Sequence, residues 1–242
     1  MAEPDASLKY RARQVRSASE LAAVQSFRAR CFKLEARTDA DAFDARCDHM
    51  VVEEIATDRL LCCFRMMLLE PGQIDHSYSA QFYDLSALRG FDGRVLELGR
   101  FCIDPDAHDP DILRAAWASL TAHVDATGAK MLIGCSSFAG TDTAPYGDAF
   151  AVLKSRYLAP ARWRPLIKAP DVFAYAAQPH HRPDLKAAMR HMPPLLRTYL
   201  LMGGWVSDHA VVDARMNTLH VFTAVEISAI PAARKRLLRA LV

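Results

Sequence analysis

RVLELGRFCIDP, residues 94–105, has the composition of a core strand, with two charges set inside it. Val95, Leu96, Leu98, Phe101, Cys102 and Ile103 are apolar, yet Glu97 and Arg100 stand among them with Gly99 between. An isolated buried charge is costly, so the pair requires a reason. Side chains alternate faces along a regular strand, which would send residues 97 and 100 to opposite sides. A glycine inside a strand often marks a bulge or the close approach of a ligand, and a bulge shifts the alternation by one residue. The stretch therefore predicts a bulge at Gly99 that brings Glu97 and Arg100 to one face. It would also release backbone amides from the ladder, and free amides can stabilise an oxyanion. The competing reading is a structural ion pair at a sheet edge.

The flanking sequence places this strand in a βαβ unit. Asp109 and Pro110 have the residue types of an N-cap and a first helical position. Ile112, Leu113, Ala116, Trp117, Leu120 and Val124 supply an apolar stripe, and Gly128 a C-terminal stop. KMLIGCSSF (130–138) is a second buried strand, parallel to the first. Upstream, YRARQVRS (10–17) alternates weakly as a first strand, and SASE (17–20) is a capping box for a helix running to about Leu34. Residues 35–48 read as a polar, acidic loop. HMVVEEIA and LLCCFRMMLLE, split by Thr57-Asp58-Arg59, read as a hairpin. Downstream, a helix is expected near 145–157 and a strand at 171–177. A His- and Pro-rich link follows from 180 to 194, then a short helix ended by Gly203-Gly204, a hairpin over 210–228 and a basic closing helix. The class is mixed α/β, an α+β arrangement around a mixed sheet. Residues 1–178 are expected to form a core and 179–242 a C-terminal extension packed on it as one structural unit.

Composition narrows the function. The chain has 242 residues, 51% hydrophobic and 24% charged, with a net charge of +2. That is a soluble globular balance, with no basic, aromatic-interleaved tract to suggest nucleic acid. No window is long and apolar enough to span a membrane, and the first residues lack the apolar core of a signal peptide, so a cytoplasmic location is expected. Six cysteines, with no C-x-x-C, read as free, mostly buried thiols rather than a zinc site. His180-His181, between Pro179 and Pro183, read as linker rather than metal ligands. GCSSFAG (134–140) lacks the G-x-S-x-G register of a nucleophile elbow. Tyr199 and Trp205 read as packing residues.

Taken together, several stretches resemble one family. RVLELGRFCIDPD followed by ILRAAWASLTAHVDATGAKMLIGCSSFAGTD is similar to the ornithine-lipid N-acyltransferases, as are FRARCF (27–32), DAFDARCDHMVV (41–52), MPPLLRTYLLMGGWVSDHAVVD and Asn217. The resemblance extends from about residue 20 to 235. It implies a GNAT-like acyltransferase fold related to the acyl-homoserine-lactone synthases, with the shared E-x-x-R-F pattern at Glu97, Arg100 and Phe101. It also implies a reaction in which a 3-hydroxyacyl group passes from acyl carrier protein to the α-amine of ornithine, giving lyso-ornithine lipid. No bound cofactor is expected; the phosphopantetheine thioester is a substrate.

The chemistry needs a proton acceptor and an oxyanion site. Glu97 is the candidate base, directly or through water, or else it positions the amine. Arg100 positions Glu97 or binds an anion. Arg28, Arg30 and Arg65 are candidates for a carboxylate or a phosphopantetheine phosphate, because arginine binds such groups with two parallel bonds. Asp44, Asp48 and His49 form a polar cluster suited to an amine, and the resemblance places this loop in the amine-donor pocket. Ser136 or Ser137 could bond the acyl-pantetheine arm. Nucleotide-binding GNAT enzymes carry a glycine-rich pyrophosphate loop after this strand. Here the place reads DPDAHDPDILRAA, acidic and without glycine, which favours a carrier-protein donor. Other acceptors such as glutamine, a homoserine-lactone synthase, and a non-catalytic acyl-carrier or lipid-binding module are the alternatives. Arg234, Lys235, Arg236 and Arg239 on the last helix suit a peripheral contact with anionic lipid or an acidic carrier protein.

Overall fold

The computed structural model describes residues 9–239. In chain order the elements are β1 (Tyr10–Gln14), α1 (Ala18–Cys31), β2 (Asp48–Glu54), β3 (Leu60–Leu69), β4 (Tyr83–Asp84), β5 (Val95–Ile103), α2 (Pro110–Thr127), β6 (Met131–Ala139), α3 (Gly147–Arg156), β7 (Leu166–Ile167), β8 (Val172–Phe173), α4 (Leu185–His191), α5 (Pro194–Leu201), β9 (Trp205–Val206), β10 (Ala210–Asp213), β11 (Thr218–Glu226) and α6 (Ala232–Arg239). The chain divides into two compact units. Of the described residues, one holds 9–67, 98–127 and 235–239; the other holds 68–97 and 128–234. Both β3 and β5 run from one unit into the other.

In the first unit, β1 pairs antiparallel with β2, and β2 with β3. The capping box forms as read: Ser17 Oγ accepts from the Glu20 amide at 3.2 Å, while the Glu20 carboxylate accepts from the Arg16 amide. α1 ends at Cys31, three residues earlier than the apolar spacing suggests. Val24 and Phe27 pack with Val51, Cys63 and Cys102. Ile112, Ala116, Trp117, Leu120 and Val124 are the buried stripe of α2. Asp109 caps it, accepting from the Asp111 amide at 2.9 Å, and Gly128 takes a left-handed φ of 65° as the stop residue.

In the second unit, Val95, Leu96 and Glu97 of β5 lie parallel to Met131, Leu132 and Ile133 of β6. β6 pairs antiparallel with β11, which carries β9 and β10; β10 carries β8. β4 and β7 form a separate two-stranded ribbon. Phe138, Phe150, Leu153, Tyr175, Leu196, Leu219 and Val221 form its core.

Two expectations need correction, and a third gains a detail. The predicted strand at 171–177 pairs only at Val172–Phe173, and Tyr175–Ala177 turn into a 3₁₀ helix. The segment read as a link contains α4, started by Asp184, whose side chain accepts from the Lys186 and Ala187 amides. The third concerns Gly99. The left-handed residue of β5 is Arg100, at φ 52°. A Cβ on Gly99 would meet only Arg65 side-chain atoms, at 3.5 and 3.6 Å, which is ordinary contact. The local twist therefore falls one residue after the glycine. An L-residue there costs about 1–2 kcal/mol, and the ion pairs of the Arg100 side chain described below offset that strain.

Candidate active site

Glu97 is 4% exposed. Its carboxylate accepts from the Tyr78 amide at 2.6 Å, the Ser79 amide at 2.8 Å and the Ser79 hydroxyl at 2.6 Å. Two backbone donors and one hydroxyl thus fix both oxygens. They come from the 3₁₀ turn Ser79–Gln81 and Tyr78 just before it, a turn that Ser77 holds by accepting from the Ala80 amide at 3.1 Å. Ser79 Oγ also lies 3.4 Å from Cys135 Sγ. Tyr199 of α5 is fully buried beside them. Burial, then the Glu97 charge, pushes its phenol well above the ordinary tyrosine range, so it stays protonated.

Neither Ser79 nor the Tyr78 amide was legible as a partner of Glu97, because nothing in SYSA distinguishes it from a loop. Tyr199, read as packing, lies close enough to Glu97 to feel its charge. Ser136 faces away from Cys135, as strand alternation requires, and accepts from Thr223 Oγ1 at 3.0 Å. Ser137 is exposed.

Arg100 is committed elsewhere. Its Nε donates to Asp39 Oδ2 at 2.8 Å and its Nη2 to Asp41 Oδ2 at 3.2 Å. These bonds belong to a closed ring of alternating charge in the first unit. Arg28 binds both oxygens of Asp44, at 2.9 and 2.8 Å, and its Nε lies 3.0 Å from Asp39 Oδ2. Arg65 Nη1 reaches Asp41 Oδ1 and Asp44 Oδ1, each at 2.6 Å, and its Nη2 reaches Asp41 Oδ2 at 2.9 Å. Asp44, Arg28, Asp39, Arg100, Asp41 and Arg65 therefore close on themselves with no net charge. Gln25 adds a donor to Asp44 at 2.9 Å, and His49 Nε2 lies 2.9 Å from the Asp44 carbonyl.

Burial pushes the Asp44 carboxyl up, and the Arg28 bonds more than reverse this, leaving it well below the carboxylate range. The same contest, with Arg65 as partner, lowers Asp41. Burial also lowers the His49 imidazole, favouring its neutral form.

Arg28 is buried, its side chain 1% exposed, and its bonds go to the ring rather than to an open anion site. Asp39 and Asp41, read only as loop, are members of the ring. Arg30 and Asp48 do not join it. Arg30 is 62% exposed and reaches Asp104 at 3.2 Å. Asp48 accepts from Gln14 at 2.7 Å at the start of β2. Phe101 stacks on Phe64 with centroids 5.4 Å apart. Among the described residues, no group of three or more His, Cys, Asp or Glu could hold a metal ion.

A mixed sheet with a central parallel β5–β6 pair, joined through α2, is the architecture of an acyltransferase of the GNAT type. Residues 24–118 match the family described as acetyltransferase (GNAT) domain. A solved N-acyl amino acid synthase from uncultured soil microbes shares the fold at a TM-score of 0.51 and 11% identity, over 96% of this chain and 98% of that one. The L-ornithine N(alpha)-acyltransferase of Rhodobacter capsulatus is 33% identical over 93% of this chain and 92% of its own length. That of Agrobacterium fabrum is 28% identical over 90% and 81%. The chain belongs to the L-ornithine N(alpha)-acyltransferase family.

Proposed function

We propose that this acyltransferase joins a 3-hydroxyacyl group, delivered by acyl carrier protein, to the α-amine of ornithine. The amine attacks the thioester carbonyl, the C–N bond forms, the C–S bond breaks, and the pantetheine thiol leaves with a proton. The observation that carries the reading is the Glu97 carboxylate, buried and fixed by three donors. As an acceptor-only group of set orientation, it takes the proton of the attacking amine. Tyr199, protonated beside it, is the candidate donor to the departing sulfur. Arg28 and Arg65 act by fixing the charge ring, because their bonds are already directed at its aspartates.

Asp106, Asp109 and Asp111 around the start of α2 support a carrier-protein donor, since anionic side chains at that helix end disfavour a nucleotide pyrophosphate. Among the described residues, no helix is long and apolar enough to cross a membrane. The acylated product is an amphiphile, so the enzyme would work in the cytoplasm at a peripheral membrane contact. Purified protein incubated with 3-hydroxyacyl carrier protein and one amino acid at a time should give an N-acyl product with ornithine. Product with glutamine alone would reassign the acceptor. A homoserine lactone formed from S-adenosylmethionine would replace the reading.

A further inference from the structure

We propose that one face of the second unit, built from α3, the 173–181 segment and α4, docks on an anionic lipid bilayer and takes one acyl chain into a cleft. The cleft holds about 380 Å³, and Phe150, Ala151, Phe173 and Tyr175 are among its walls. That volume is enough for a small apolar ligand. Its rim carries Lys154, with the imidazoles of His180 and His181 beside it. Lys154 Nζ donates to the Gln178 carbonyl at 2.6 Å, which fixes the amine at the edge.

α4 continues from this rim and also packs on α3. Its inner side buries Ala188 in the same cluster as Phe150 and Tyr175. Its outer side leaves Leu185 48% and Met189 47% exposed. Those two are one turn apart, so they form a single stripe. Lys186 and Arg190 flank the stripe and Arg182 precedes it; all three are exposed. Among the described residues, no hydrogen bond or ion pair ties any of these three side chains.

The nearby acids are already used. Asp184 caps α4, while Asp148 faces His181 at 3.3 Å and accepts from the Asp184 amide at 3.1 Å. Lys154, Arg182, Lys186 and Arg190 therefore outnumber Asp148 and Asp184 on this surface, with large apolar side chains between the cations. That is the pattern of an interfacial helix, in which each Lys or Arg near an anionic leaflet contributes about 1 kcal/mol. An acidic protein would match the charge. It would leave the apolar cleft and the Leu185–Met189 stripe without a counterpart.

The test is co-sedimentation of the full chain, without substrates, on phosphatidylcholine vesicles and on equal mixtures of phosphatidylcholine and phosphatidylglycerol. The expected result is pelleting with the anionic vesicles only, weakened by salt. Lys186→Gln with Arg190→Gln should lower the partition about 25-fold, at about fivefold per charge. Leu185→Ser with Met189→Ser should lower it comparably. All four substitutions lie on an exposed helix face and should leave the thermal transition and acyl transfer from soluble substrates unchanged. A Phe173→Trp variant should show extra fluorescence quenching on vesicles with brominated acyl chains, relative to the unsubstituted chain. Equal pelleting with neutral vesicles, no pelleting, insensitivity to the charge pair, or loss of carrier-protein binding in its place would overturn the docking face. Binding without extra quenching would overturn the acyl-chain cleft. Because no substrate is present, these results are independent of the acyl-transfer reading.

Discussion

Ser79 Oγ lies 2.6 Å from Glu97 Oε1, and the Ser79 amide donates to that same oxygen from 2.8 Å. A single residue therefore supplies two of the bonds that orient the carboxylate. The backbone bond survives truncation and the hydroxyl bond does not. Ser79→Ala should lower kcat by about tenfold, the equivalent of one hydrogen bond of about 1–1.5 kcal/mol. KM for the amino acid should hold steady, because the carboxylate stays in place but loses its fixed rotation. A steady-state comparison checks this. A raised KM with unchanged kcat would assign Ser79 to binding.

Glu97→Gln is the more severe change. The amide cannot accept a proton, and its NH2 group would compete for the site facing the Tyr78 and Ser79 donors. Loss of a general base costs typically 10²–10⁴ in rate. The expected outcome is a fall in kcat of at least 10² with the thermal transition retained. Activity within tenfold of the unsubstituted enzyme would remove Glu97 as the base.

The charge ring predicts an asymmetric response to substitution. Arg28→Met keeps an unbranched apolar stem but leaves Asp39 and Asp44 buried without the guanidinium. Breaking one partner of a buried pair costs about 3–5 kcal/mol. Arg28→Lys should recover little, because one ammonium cannot reproduce the two bonds to Asp44. Urea denaturation of the three proteins reads this directly, and a Lys variant as stable as the original would show that charge alone, not fork geometry, holds the ring.

Acid should weaken the fold in two stages. His220 is buried against Tyr83, and burial lowers its imidazole to about 4, against about 6.5 unfolded. A group whose folded pKa is depressed adds stability above its unfolded pKa and loses it as pH falls toward the folded value. Stability should therefore begin to fall below about pH 6.5 through His220, helped by His49, which shifts in the same direction. The lowered carboxyls of Asp41 and Asp44 add a second decline below about pH 4, near the unfolded carboxylate value. Thermal midpoints measured from pH 7 to 5 should drop less in a His220→Leu variant. An unchanged slope would put the loss on other groups.

The architecture was legible where local rules and burial agree. The Ser17 capping box, Asp109 with Pro110, and the apolar runs of β5 and β6 each carry their own signal, and the parallel pair follows from the helix between them. Glu97 was legible because a lone acid in a core strand demands an explanation. Its partners were not, since Tyr78 and Ser79 reach it through a 3₁₀ turn whose sequence has no fixed pattern. Asp39 and Asp41 were missed for a related reason: an acidic loop reads as solvated until the arginines it neutralises are known to be buried. α4 was hidden by composition, as a seven-residue helix among His, Pro and Arg gives too short a period to detect.

Gly99 is a different case, since a glycine beside a charge invites a conformational role. Its backbone does not need one, because the left-handed residue is Arg100. The distinction can be measured. Gly99→Ala places a Cβ at ordinary contact distance from Arg65, so stability and activity should stay close to the original. Gly99→Val adds two methyl groups on the same side, toward the Arg65 guanidinium that binds Asp41 and Asp44. Overpacking of this kind costs about 1–3 kcal/mol, and here it would act by displacing a ring member. The Val variant should therefore lose stability and activity together, and Arg65→Met in the same background should add less than it does alone, because the ring is already disturbed. A Val variant that stays fully stable while losing activity would restore the glycine to the chemistry. An Ala variant that unfolds would show that the position needs glycine for its backbone.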